Sequence, residues 1–199
     1  LRAMVRDGRL RRGCIGSVSK SAGDRMQFRD DISGEELDAE GVRKAREEEM
    51  GEFRKHGVYV KVPLEECHRE TGKEPIGTRW VDINKGDREN PEYRSRLVAQ
   101  EINTERRDDL FAATPPLEAL KMLISIVVSD KGVRNGERMK MDLIDVRRAY
   151  FHAKARRKVY VRLPEEDKEA GMCGRLVKAM YGTRDAAFNW ECEYVEFMK

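Results

Sequence analysis

Hydrophobic and polar positions recur along this chain with two periods, and each period predicts one kind of element. In residues 35–56 the apolar positions approximate one helical stripe while charged residues crowd the other sides, which predicts an amphipathic helix. Ser33 is its predicted N-cap and Gly57 its predicted C-cap. Residues 114–131 show the same helical spacing, and we interpret them as a core helix. A further helix is predicted from Thr183.

Alternation of apolar and polar residues predicts strands elsewhere in the chain. The segments predicted as strands are residues 58–62, 78–83, 93–100 and 158–163, and residues 176–181 are predicted to be a further short strand or turn. A turn-rich connection joins the second segment to the third, so residues 78–100 are predicted to form a β-hairpin. Arg94 and Arg96 share one face of it, and two guanidinium groups on one face suit phosphate oxygens. Residues 63–75 and 165–174 are predicted to be polar loops.

The stretch from Met139 to Ala153 holds the strongest candidate for chemistry. Alternation over residues 139–144 predicts a strand whose apolar face is continued by Asp145. A carboxylate in that position is unfavourable unless it is paired, hydrated or bound to a metal ion. The apolar spacing after Asp145, which includes Tyr150, fits a helical turn or a tight bend. Two interpretations stay open on these residues alone: Asp145 binds a metal ion, or it is a surface residue that caps the following turn.

Composition narrows the class of protein. Of the 199 residues, 39% are charged and 39% are hydrophobic, and the net charge of +3 is too small to indicate a polyanion partner. The four cysteines are scattered without a C-x-x-C pair, which argues against a zinc site. These thiols, with no signal peptide and no apolar run of membrane length in the sequence, predict an intracellular protein that is neither secreted nor membrane-bound.

Residues 1–33 are rich in Arg, Gly and Ser and predict a flexible basic lead or linker. The chain begins with Leu1 and stops inside a predicted helix, so we expect a piece of a longer reading frame.

Six motifs in order resemble one family. D-V-x-x-A-Y-F at residues 145–151 resembles the first catalytic motif of reverse transcriptases, and its flanks resemble the copia-type (pseudoviral) retrotransposon branch. The other motifs are I-G-T-R-W-V at 76–81, Y-R-S-R-L-V-A at 93–99, F-A-A-T-P-P-L-E at 111–118, V-Y-V-R-L-P at 159–164 and L-V-K-A-M-Y-G-T-R at 176–184. The resemblance runs from about Gly34 to the end of the chain.

This resemblance implies an α+β fold made of reverse-transcriptase fingers and an incomplete palm, in which an antiparallel hairpin packs with helices. Residues 34–199 would be the N-terminal portion of the domain, with fingers over about 34–135 and the start of a truncated palm over about 136–199. It also implies an RNA-directed DNA polymerase within a retrotransposon Pol polyprotein. The partners of the intact protein would be an RNA or DNA template-primer, deoxynucleoside triphosphates and the rest of Pol. A palm without its later strands exposes apolar surface, so marginal stability is expected.

The resemblance also implies roles for single residues. Asp145 matches the aspartate of the first motif, which is catalytic and binds Mg²⁺. The family uses two such ions, and a later Y-x-D-D motif supplies further carboxylates. No Asp pair follows Asp145 here, so the chain alone is expected to be inactive. Arg96 is the implied contact to the incoming triphosphate, with Arg79 and Lys85 as further candidates. Tyr150 matches the position that packs under the incoming sugar and selects against a 2′-hydroxyl.

Departures from the family pattern keep other functions open. Arg147 and Arg148 replace a commonly small or polar pair, and Ala153 stands where this branch usually has Gly. One alternative is a non-catalytic basic nucleic-acid-binding module that uses these arginines together with Arg94 and Arg96. The other alternative is a decayed transposon relic.

Overall fold

The computed structural model describes residues 27–102, 116–129, 133–134, 136–138 and 140–199. Its helices are α1 (Ala39–His56), α2 (Leu64–Thr71), α3 (Leu117–Val128) and α4 (Ala186–Phe197). Its strands are β1 (Phe28–Arg29), β2 (Glu36–Leu37), β3 (Tyr59–Pro63), β4 (Thr78–Asn84), β5 (Tyr93–Ala99), β6 (Val133–Arg134), β7 (Glu137–Arg138), β8 (Tyr160–Val161) and β9 (Met172–Leu176). Two 3₁₀ turns cover Ala149–His152 and Glu165–Asp167.

The strands pair in small antiparallel sheets. β4 pairs with β5, β1 with β2 and β6 with β7, while β9 lies between β3 and β8. The hairpin predicted for residues 78–100 is confirmed, with Arg96 opposite Val81 and Arg94 opposite Ile83. Helices packed on antiparallel strands agree with the predicted α+β class.

Helix α1 lies against β5 and supplies much of the core. Its buried residues follow one stripe and are Val42, Ala45, Glu49, Met50 and Phe53. Gly57 ends the helix in the left-handed conformation, with φ of 58°, as predicted. The predicted N-cap Ser33 is wrong. Since Glu36–Leu37 is extended in β2, the helix starts later, and the Asp38 side chain accepts the Gly41 N–H at 2.7 Å.

Of the flexible lead or linker predicted over residues 1–33, the structure describes residues 27–33. Residues 1–26 lie outside the described residues, whereas Phe28 pairs with Leu37 and is buried against Val42. The Asp30 carboxylate accepts backbone N–H groups from Ile32, Ser33 and Asn84. These contacts attach residues 28–33 to the hairpin, so they are not part of a flexible linker.

Two local predictions after α1 are corrected. The polar loop predicted for residues 63–75 contains α2, which buries Cys67 beside Val62, Tyr160 and Cys173. For residues 176–181 a short strand or turn was predicted. The structure has a turn at residues 181–182, while the strand is Met172–Leu176, which pairs with β3 and begins within the loop predicted for 165–174. In both cases the pattern of apolar and polar positions is too short to recognise in the sequence, because each element buries few side chains.

The strand predicted to end at Asp145 is wrong for the described residues 140–146, which form neither helix nor strand. A strand needs a neighbour to accept its backbone hydrogen bonds, and nothing in the described part of the chain pairs with this segment. Leu143 and Ile144 are consequently 81% and 82% exposed. The predicted core helix is also corrected, since no residue of α3 is buried. Across the described ranges no helix is both long and apolar enough to cross a membrane.

Gly182 lies where two backbone segments meet, and a side chain there should be poorly tolerated. Its φ is 83°, and an added Cβ would lie 2.0 Å from the Ala99 carbonyl oxygen. We expect Gly182→Ala to lower the free energy of unfolding by about 2 kcal/mol or more. The matched control is Gly171→Ala, where φ is 72° but no atom lies within 4 Å of the added Cβ. That variant should lose only about 1 kcal/mol in urea denaturation, and equal losses would contradict the close approach.

The Arg157 guanidinium joins three segments of the chain. It donates to Glu101 at 2.7 and 2.5 Å and to Asp185 at 2.8 Å. Since both carboxylates are largely buried, Arg157→Met should lower the free energy of unfolding at neutral pH by about 2 kcal/mol. The control is Arg175→Met, which breaks an exposed pair with Glu66 at 3.1 Å and should have little effect in the same denaturation experiment.

The pH dependence of stability gives a second test of this network. Burial alone would raise the pKa of Glu101, but hydrogen bonds from Arg157 and from the Arg184 backbone N–H lower the pKa below 4.5. Burial is likewise outweighed by Arg157 at Asp185, whose pKa falls below 3.8. A lowered folded-state pKa adds stability above the unfolded pKa, and this stability is lost as the pH falls through the folded value. The unmodified chain should therefore lose more stability below about pH 4 than Arg157→Met does. Parallel acid profiles for the two proteins would contradict this.

Candidate functional site

An open cleft of about 650 Å³ separates the β4–β5 hairpin from residues 145–152, here called the cleft turn. Its lining comes from β5, the cleft turn, Tyr181 and α4, and comprises Arg94, Arg96, Asp145, Val146, Arg147, Arg148, Ala149, Tyr150, Tyr181 and Trp190. Residues far apart in the sequence therefore meet at one surface. Of the predicted site residues, this surface brings together Asp145, Arg96 and Tyr150.

The hairpin wall of the cleft is basic. Arg94 and Arg96 line it, while Ser95 and Leu97 between and beside them are buried on the opposite face. This is the side-chain alternation predicted for the strand. The Arg96 guanidinium carbon lies 5.1 Å from the centre of the Tyr181 ring, a cation–π contact that orients the charge. Burial raises the pKa of Tyr181 despite the opposing effect of Arg96, so the ring is neutral at physiological pH.

Asp145 supplies an exposed carboxylate on the opposite wall. It lies in residues 140–146, which form neither helix nor strand, two residues before the turn at residues 147–148. The alternative in which Asp145 caps the turn does not hold. Arg148 precedes the first residue of the 3₁₀ turn, and no side chain caps it.

Tyr150 and two neighbouring rings form the apolar part of the cleft. The Tyr150 ring centre lies 4.9 Å from that of Tyr181. Tyr150 and Trp190 both pack on a cluster of small buried residues, Ala153, Ala179 and Ala186. Trp190 therefore has both this packing and a surface on the cleft.

The two extra arginines of the cleft turn have different surroundings. Arg147 is exposed at the cleft. Arg148 is anchored to α1, where its Nε and Nη2 lie 3.1 and 3.0 Å from Glu49 Oε2. Its φ of 50° and ψ of 45° place it in the left-handed region.

Glu49 is the residue near the site that the sequence interpretation missed. Its side chain is 4% exposed, and burial raises its pKa more than the attraction of Arg148 lowers it. It belongs to the run Glu47-Glu48-Glu49, which the sequence pattern assigns to the solvated sides of the helix. Its position four residues after Ala45 and four before Phe53 was the available signal, because this spacing places it on the buried stripe.

Arg79 and Lys85, the further candidates for nucleotide contact, do not line the cleft. Arg79 pairs with Asp31 at 2.9 Å. Lys85 is exposed at the tip of the hairpin, where its backbone N–H donates to the Glu92 carbonyl at 2.9 Å. The structure therefore does not bring these two residues together with Arg96, Asp145 and Tyr150.

The donor set for divalent cations is incomplete in the described residues. Among them no group of three His, Cys, Asp or Glu side chains lies close enough together to hold a metal ion. A Mg²⁺ pair needs several carboxylate ligands, and Asp145 is the one carboxylate that lines the cleft. These residues do not by themselves fit a two-metal centre.

Comparison with known proteins identifies a family and a curated relative, but no solved structure. A family model described as "Reverse transcriptase (RNA-dependent DNA polymerase)" matches residues 65–199. The chain is 27% identical over 166 residues to the retrovirus-related Pol polyprotein from transposon TNT 1-94 of Nicotiana tabacum. That alignment covers 79% of this chain and 12% of the polyprotein, so the chain spans about an eighth of its relative. No solved structure matches. The family match contains every residue that lines the cleft, whereas Glu49 precedes it.

Proposed function

This chain belongs to the reverse transcriptase (RNA-dependent DNA polymerase) family, and we propose that its cleft binds the triphosphate of an incoming nucleotide in a copia-type retrotransposon enzyme. The two matches confirm the copia-type resemblance that the motifs predicted. One observation carries the proposal: the arginines of β5, the carboxylate of Asp145 and the ring of Tyr150 line the same cleft.

The charges of the cleft support this assignment. A nucleoside triphosphate carries several negative charges, and Arg94, Arg96 and Arg147 offer guanidinium groups on both sides of the opening. Guanidinium groups bind phosphate oxygens through paired, charge-assisted hydrogen bonds. Arg96 is further oriented by the Tyr181 ring. In this proposal the hairpin is part of the fingers, and it holds the triphosphate over the start of the palm.

Asp145 and Tyr150 have separate roles in the proposal. Asp145 contributes one carboxylate to the divalent ions that polymerases of this family generally use, with further ligands from outside the described residues. Tyr150 presents a rigid ring where the sugar would lie, and this ring disfavours a 2′-hydroxyl. Since the donor set here is incomplete, the described residues bind and orient the nucleotide without completing catalysis. The proposed partners are a template-primer and the rest of a Pol polyprotein.

The proposal predicts different effects for two arginines on one hairpin. Arg96→Ala should weaken binding of Mg²⁺–dTTP to the 199-residue chain by about tenfold or more, because it removes a charged hydrogen-bond donor to phosphate. Arg79→Ala is the matched control, since Arg79 carries the same group on the same hairpin but lies outside the cleft. Isothermal titration calorimetry measures both. Equal losses, or no loss in Arg96→Ala, would contradict a triphosphate site at the cleft.

Tyr150→Ala tests the role of the ring in sugar selection. We expect the affinity for dTTP relative to the ribonucleotide UTP to fall, because the ring no longer occupies the space of the 2′-oxygen. Thymidine and uridine triphosphates also differ in the base methyl group, so the pair dATP and ATP serves as a second comparison. An unchanged deoxy-to-ribo ratio in both pairs would contradict this role.

A non-catalytic nucleic-acid-binding module remains the second candidate, favoured by the same basic residues. Asp145→Asn separates the two functions. A polymerase nucleotide site should lose the Mg²⁺ dependence of dTTP binding in this variant. A phosphate-binding module should bind RNA with unchanged affinity and unchanged salt dependence in filter binding.

A further inference from the structure

The cleft turn contains a strained backbone position. Arg148 is the one non-glycine residue in the described ranges with a positive φ. In the left-handed region Cβ crowds the neighbouring carbonyl oxygen, so a long side chain stays there only when surrounding contacts hold it. These contacts identify what fixes the cleft turn.

Helix α1 holds the turn at two points. The first is the Glu49 carboxylate, which accepts a hydrogen bond from Arg148 Nε and lies 3.0 Å from its Nη2. Glu52 Oε2 lies 3.7 Å from the same guanidinium group. The second is Phe53, whose ring centre lies 4.7 Å from that of the fully buried Phe151. Glu49 and Phe53 are four residues apart and therefore share one face of the helix. The Arg148 carbonyl also accepts the Phe151 N–H at 2.8 Å, which closes the turn.

Glu49 also lies beside the opposite wall of the cleft. It lines a small cavity of about 60 Å³ together with Arg94, Ser95, Arg96 and Arg148. Its Oε1 is buried and accepts no hydrogen bond from the groups that the structure describes. One carboxylate thus contacts the arginine of the cleft turn and lies next to the arginines of the hairpin.

We propose that Glu49 and Arg148 are positioning residues, whose partly buried ion pair holds the cleft turn, and with it Asp145 and Tyr150, opposite Arg94 and Arg96. Their role in nucleotide binding rests on the proposed function of the cleft, whereas their effect on the turn does not. A buried ion pair is seldom more stabilising than an apolar contact of the same shape, but its hydrogen bonds have a fixed direction. A turn held in an unfavourable backbone conformation requires contacts of this fixed direction.

Glu49→Gln tests the pair with little change of shape. The affinity of the 199-residue chain for Mg²⁺–dTTP should fall by about tenfold, because the turn no longer holds the cleft residues in place. Amide hydrogen exchange should accelerate by about tenfold at Phe151 and Ala153, whose N–H groups donate to the Arg148 and Tyr150 carbonyls. The double variant Glu49→Gln/Arg148→Gly should lose no more affinity than the worse single variant, since the two residues act together.

Val42→Ala is the control for stability alone. Val42 is fully buried on the same helix but belongs to a separate cluster with Phe28 and Leu37. This variant should lower the melting temperature while leaving the dTTP affinity and the exchange at Phe151 unchanged. If it weakens binding as much as Glu49→Gln does, the effect is one of stability and the positioning role is overturned.

The two readouts separate the inference from the function on which it rests. If the unmodified chain binds no dTTP, the proposed function fails, and the exchange rates still decide whether Glu49 holds the turn. Unchanged exchange at Phe151 and Ala153 in Glu49→Gln would overturn the inference. Faster exchange with unchanged dTTP affinity would also overturn it, because the held turn would then have no role in positioning.

Discussion

The buried face of α1 is the constraint on which the candidate site depends. Met50 and Phe53 belong to the main core, which also contains Leu97 of β5 and Phe151 of the cleft turn. Glu49 lies on the same face and binds Arg148. Because one rigid helix contacts both walls of the cleft, the distance between these walls follows from side-chain packing along about one helical turn.

Polar contacts orient the β4–β5 hairpin and the first strand relative to α1. Asp82 on β4 accepts hydrogen bonds from Ser95 across the hairpin and from Arg46 on α1, with Arg46 Nη2 at 2.6 Å. The Arg46 guanidinium carbon also lies 4.8 Å from the Phe28 ring centre and 5.1 Å from that of Trp80. These contacts attach the hairpin and the first strand to the same helix. The arginine wall of the cleft is therefore positioned from α1, as the cleft turn is.

Local sequence patterns correctly predicted the elements whose conformation is determined by residues close together in the sequence. The hairpin follows from alternation on two adjacent segments, and the left-handed end of α1 follows from Gly57. The short helix α2 was missed because Cys67 is its one buried residue. Residues 140–146 alternate as a strand does, but a strand also needs a partner, and alternation carries no information about that partner.

The candidate site likewise contains residues that the sequence predicted and residues that it could not predict. Asp145, Tyr150 and Arg96 were found from motifs and do meet at the cleft, while Arg79 and Lys85 carry suitable charges at positions that the fold directs elsewhere. Glu49 belongs to a charged run, so its burial could be recognised only from helical spacing. The left-handed Arg148 has no local signal, since its conformation is fixed by contacts with a helix about a hundred residues earlier in the chain.

Paramagnetic broadening by Mn²⁺–dTTP in amide NMR spectra of the isotope-labelled chain tests the central claim most directly, because broadening reports proximity to the bound ion. A single triphosphate site shared by the hairpin and the cleft turn predicts selective loss of signal at residues 94–96 and at residues 145–150 in the same titration. Broadening confined to the acidic turn Glu165–Asp167, or at one wall of the cleft without the other, would contradict it.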